Sequence, residues 1–198
     1  MLYFSRRTKI FFAVAGVAAI GFFGIRLWST TNKIPKEFTE ARIQGAVISQ
    51  NIINLSNQSA KDLEDINRLD REQNFSQATD VALKAIQESQ EIRSQAVALS
   101  NQVSRMTRAL SAIDSFNARQ AALESIASRL ALISRLINYS DYLNQLLNTL
   151  QARFSGQTGD HRVEGIISQI NAEVTAINNF NNQATQAMGR FDGIVNGR

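Results

Sequence analysis

The side chains best suited to chemistry in this sequence are few and scattered. His161 is the only histidine. It stands beside Asp160 and close to Glu164. One imidazole with two carboxylates at a helix start falls short of the converging ligand set that a metal needs. Acidic residues there have a plainer use, because they oppose the positive end of the helix dipole. The absence of cysteine removes thiolate zinc sites, thiol nucleophiles and disulfides together. Asp62 and Asp65 are close in sequence, but Lys61 and Arg68 flank them, as on a solvated helix face. No glycine-rich phosphate loop, nucleophile elbow or His-x-x-x-His pair is present. The expectation is a chain with no catalytic residue, no metal and no cofactor: a protein that is not an enzyme and works by binding.

A second group of polar residues is defined by position. Ser59, Asp62, Ser89, Ser140, Asn144 and Asn181 interrupt stripes that are otherwise apolar. In helices that run alternately up and down at about 1.5 Å per residue, the first five reach similar heights in the half far from Pro35. Tyr139 and Tyr142 fall nearby, and Asn181 somewhat lower. Buried polar groups cost stability unless they are paired. A layer of them would fix helix register, as a core Asn does in coiled coils, or line a small ligand pocket. The plainer alternative leaves Asp62 in water and turns Leu63 inward. Asn-x-Ser triplets at Asn54, Asn57, Asn74 and Asn138 are as frequent as this composition produces by chance, and are not read as glycan acceptors.

The elements that would carry these residues are long helices. Pro35 is the only proline, so nothing beyond it interrupts a helix by removing a backbone donor. Apolar or small residues recur at alternating three- and four-residue steps, which places them on one helix face. The first stripe runs from Ile34 through Phe38, Ile52 and Ile66 to Leu69. The second runs from Ala78 through Ala85, Ile92 and Leu99 to Ile113. The third takes in Leu123, Ile126, Leu130, Ile133, Ile137 and Leu147, and the fourth runs from Val163 through Ile170 and Ile177 to Val195. Phase is lost after Leu69 and slips again near Asn117. Asn74 with Gln77, and Asn117 with Gln120, fit capping pairs. SGQTGD at 155–160 reads as a loop. The fold class is therefore all-α: an antiparallel up-down four-helix bundle over 36–198, with helices near 36–72, 76–113, 117–154 and 160–195.

Ahead of the bundle, Ile10–Ile25 contains no charge. Extended to Trp28, the segment makes about 28 Å of helix, close to the hydrocarbon thickness of a bilayer. The expectation is a basic tail over 1–9, a transmembrane anchor over 10–28 and a linker over 29–35. Arg6, Arg7, Lys9, Arg26 and Trp28 would sit at the membrane interfaces, where long cations snorkel and indole rings settle. IRLWSTT offers no small-x-small site for signal cleavage, so the anchor is expected to stay. The leading basic cluster favours a cytoplasmic N-terminus and an extracytoplasmic bundle.

The formal charge of +4 is accounted for by Arg6, Arg7, Lys9 and Arg26; beyond them acidic and basic residues balance. A nucleic-acid partner is not expected, since such a protein gathers Lys and Arg on one face of its folded part. The expected partners are membrane lipid along 10–28 and one or more unidentified proteins, with self-association compatible. The expected role is a cell-envelope scaffold, adaptor or assembly component. The outline also resembles the ligand-binding bundles of bacterial chemoreceptors, which implies a sensor acting through a partner chain. An extended parallel coiled-coil tether is the third reading.

Overall fold

The computed structural model describes residues 34–156 and 163–197. The expected anchor with Arg6, Arg7, Lys9, Arg26 and Trp28, and the His161 neighbourhood, lie outside those residues. Among the described residues no helix is long and apolar enough to cross a membrane.

The described chain is all-helical. Its helices are α1 (Lys36–Arg71), α2 (Phe75–Ala109), α3 (Phe116–Phe154) and α4 (Val163–Val195), with a single 3-10 turn at Leu110–Ala112. Each consecutive pair packs antiparallel. Asp62 and Ser59 of α1 meet Lys84 and Glu88 of α2 in reversed order. Ser125 and Asn138 of α3 likewise meet Ala184 and Glu173 of α4. Ser140 of α3 bonds Ser89 of α2. The circuit closes at the lower end, where the Phe38 and Phe191 rings lie 5.2 Å apart and Arg42 forms a two-bond fork with Asp192 at 2.6 and 2.7 Å. At the upper end Phe75 stacks on Phe154 at 6.0 Å, and Arg153 reaches Asp70 at 3.2 Å.

Local chemistry explains the turns. At the end of α1, the amides of Glu72, Gln73 and Asn74 bond back to Arg68, Asp70 and Leu69 carbonyls, which satisfies the orphan carbonyls of a helix end. Gln73 takes the left-handed conformation, φ 59°, a position where glycine avoids the Cβ penalty. Asn74 then caps α2, its Oδ1 accepting from the Gln77 amide at 3.4 Å. The next cap departs from the expected one. Ser115, not Asn117, accepts from the Ala118 amide at 3.3 Å, and the chain between Ile113 and Ser115 is extended. That extended link makes the second break a real turn and excludes one continuous rod through both stripes.

The interior face of α2 follows the sequence pattern: Ala78, Ala82, Ala85, Ser89, Ile92, Ala96, Leu99, Val103 and Met106 are all buried. Small residues here let α1 and α3 approach closely; a Cβ at Gly45 would lie 3.4 Å from Leu99 Cδ1. On α3 the pattern holds at Ile126, Ile133, Ser140 and Leu147, which are buried, and fails elsewhere. Leu132, Leu136, Leu143 and Leu150 are buried, while Leu123 and Leu130, placed in the core stripe by periodicity, are exposed. This helix is apolar over more than half its circumference, so two phases fit its sequence, and packing against both α2 and α4 selects between them.

Candidate functional site

Chemistry-bearing groups collect in two interior clusters. The upper cluster joins α1, α2 and α3. Ser59 is fully buried and Asp62 is 3% exposed; Ser89 and Ser140 are buried as well, and Asn144 and Asn181 are half-buried. Asp62 therefore turns inward, and Leu63 is only half-buried, the reverse of the plainer alternative. Its carboxylate accepts from Gln58 Nε2 at 2.8 Å and from Lys84 Nζ at 3.1 Å. The same ammonium reaches Glu88 at 3.3 Å, and Ser59 Oγ donates to Glu88 at 3.4 Å. Across the interface with α3, Ser140 Oγ donates to the Ser89 carbonyl at 2.5 Å, while the Ser89 hydroxyl donates to Ile86. Outside this layer, Arg93 pairs with Asp141.

Two carboxylates thus share one lysine whose side chain is 55% exposed. Burial, and next the neighbouring Asp62 charge, push the Glu88 carboxyl above the usual range. Lys84 is held above its ordinary value, first by its hydrogen bond to Asp62. Burial pushes Tyr139 up to about 12, so its phenol stays protonated. The structure brings Ser59 and Asp62 together with α2, and Ser140 with Ser89. Among the described hydrogen bonds, Asn144 belongs elsewhere, accepting from Asn148 on its own helix. Asn181, on α4, joins none of the upper cluster's described bonds.

The lower cluster escaped sequence reasoning. Ser125 Oγ donates to the Ala184 carbonyl at 2.9 Å and accepts from Arg129 Nε at 3.3 Å. Arg129 is 7% exposed. Burial, and then the Arg42 charge, lower its guanidinium to about 10, which still leaves it charged at neutral pH. Ser49, also buried, bonds back to the Gly45 carbonyl at 2.8 Å. Higher between α3 and α4, Glu173 accepts from Arg135 at 3.4 Å and Asn138 at 3.3 Å, while its Oε2 is buried without a partner, as is Asn178 Oδ1. The signal that could have found Ser125 and Arg129 is their spacing with Ala118, Ala122 and Leu136, the second of the two phases that α3 allows. Glu173 sits at helical spacing between Ile170 and Ile177, one position from the stripe residue Val174.

Chemically, these arrangements tie helices together. The upper cluster's hydroxyls and carboxylates bond to neighbouring helices or to their own backbone, and both clusters carry bonds between successive helices. Among the described residues no group of three or more His, Asp or Glu is placed to hold a metal ion. Compared with protein-family models, with characterised proteins and with solved structures, the chain matches none.

Proposed function

We propose that this chain is a membrane-anchored, non-catalytic bundle that serves as an extracytoplasmic scaffold or adaptor in the cell envelope. The observation that carries the reading is the uncharged run Ile10–Ile25, bracketed by Arg6, Arg7 and Lys9 on one side and Arg26 and Trp28 on the other. Basic and aromatic flanks of this kind fit both faces of a bilayer. The placement of the bundle supports it: α1 starts at Lys36, directly after Pro35, so an anchor would join the bundle at its lower end. Interior polar groups that bridge helices support a rigid body whose surface, and not its interior, meets partners.

Membranes from cells making the full-length chain provide the test. The protein should resist alkaline carbonate and leave only with detergent. Single cysteines at exposed Gln50 or Gln186 should react with an impermeant maleimide from outside. Release by carbonate alone, or labelling only after the membrane is opened, sinks the anchor or the orientation respectively.

A further inference from the structure

Among the described residues, the third stripe leaves an unpartnered face. Phe116, Leu123 and Leu130 recur every seven residues along α3 and are 70%, 53% and 48% exposed; Ile137, the next in the series, is half-buried. Seven-residue spacing keeps side chains on one side of a helix with a drift of about 20° per heptad. Across the α2–α3 pairing set by Ser89 with Ser140 and Arg93 with Asp141, Val97 falls beside Leu130–Ile137, and it is 51% exposed. Leu123, Leu130, Ile137 and Val97 together make an apolar strip that Arg119 separates from Phe116, and exposed apolar surface gathered on one face marks a candidate interaction site.

We infer that this strip docks a second copy of the same chain, α3 against α3, about a two-fold axis. Charge selects this occupant. In a two-fold interface each residue near the axis faces its own counterpart or a close neighbour, so any charge there would meet its like. Between Arg119 and Asp141, the outward positions Gln120, Leu123, Ala127, Leu130, Ser134 and Ile137 carry none. Of the charges within this span, Arg129 is buried, while Arg135 and Glu124 are turned toward α4 and paired with Glu173 and Arg190 respectively. Leucines at heptad spacing, with Ala127 and Ser134 small enough for close approach, fit knobs-into-holes packing. The two helices run parallel; this orientation, unlike the contact itself, rests on the proposed anchor, which holds both copies in one membrane.

The absence of native cysteine makes the test clean. Full-length Leu123→Cys and Leu130→Cys, each alone, are oxidised in membranes and compared with Val47→Cys on α1, which is equally exposed at 54%. A disulfide forms only where Cα atoms come within about 7 Å. Most of the chain should run as a covalent dimer for the two α3 variants, and only a background fraction for Val47→Cys. In detergent micelles, Leu123→Glu combined with Leu130→Glu should halve the protein mass while leaving helical circular dichroism unchanged. Dimer yields no higher than that of Val47→Cys at all of Leu123→Cys, Leu130→Cys and Ala127→Cys overturn the inference, as does an unchanged mass. A dimer through Ala127→Cys alone overturns the parallel arrangement. An intrachain link from Leu123→Cys to Val17→Cys would assign the face to the N-terminal segment instead. Carbonate extraction of the same membranes separates the two ideas, because crosslinks that persist on released protein refute the anchor and not the dimer.

Discussion

The two interior clusters differ in sign and in access to water. The upper one is acid-rich: Asp62 and Glu88 share Lys84, which reaches solvent. The lower one is base-rich: Arg129 is sealed against Ser125 within range of the Arg42 charge, and Arg42 itself is forked to Asp192. A charge whose counter-ion touches water can rearrange when the pairing is disturbed, whereas a sealed one leaves a desolvated group behind. The lower cluster should therefore be the more brittle, although both carry bonds between successive helices.

Substitution at Arg129 tests that difference most severely. Arg129→Ala removes a buried side chain and Ser125's donor, and should cost about 3 kcal/mol in urea unfolding. Arg129→Met keeps most of the volume without the charge and should cost under about 1.5 kcal/mol. Equal losses would show that the charge, and not the packed stem, is what the site needs. Next in size come the serines. Ser125→Ala loses a donor to Ala184 and an acceptor for a cation, about 2 kcal/mol; Ser140→Ala loses one neutral hydrogen bond, about 1 kcal/mol. The two belong to separate clusters, so the double variant should be additive to within about 0.5 kcal/mol; a larger coupling would merge the clusters into one network.

The smallest expected effects lie in the upper cluster. Asp62→Asn should cost about 1 kcal/mol or less, since Lys84 turns into water; a loss as large as that of Arg129→Ala would erase the distinction between the clusters. Glu88→Gln should raise the midpoint of thermal unfolding slightly at neutral pH. The sign follows from linkage. Glu88 binds its proton more tightly when folded than when unfolded, so its protonation stabilises the fold at low pH, and that contribution is lost as pH rises through the folded value. The advantage of Glu88→Gln over the native chain should shrink as pH is lowered through the carboxylate range. A constant gap across pH would remove Glu88 from the account.

How far the sequence could be read depended on how many phases each helix permits. On α2 one stripe of small and apolar residues stands against a polar remainder, and Ser89 could be placed inside from its spacing alone. On α1 the spacing left Asp62 and Leu63 as rivals for the inward position, and the structure turns Asp62 in. On α3 apolar residues are so abundant that Leu123–Leu130 and Leu132–Leu136 compete as core, and the inward set is decided by which neighbours lie on either side. The misplaced phase hid Ser125 and Arg129. It also makes Leu123 and Leu130 legible in hindsight as surplus apolar surface. Cap identity was similarly local: Asn74 was marked by its position directly after a lost stripe, whereas Ser115 and Asn117 both suit a cap, and the extended backbone at Ile113 chooses the earlier.

The meeting of Phe38 with Phe191 puts the beginning of α1 and the end of α4 at one pole of the rod. If tension were applied between those two ends, it would open the aromatic pair and the Arg42–Asp192 fork first, without loading the α1–α2 and α3–α4 seams in shear. A body loaded in this geometry gives way contact by contact, at lower force than one pulled along its helix seams.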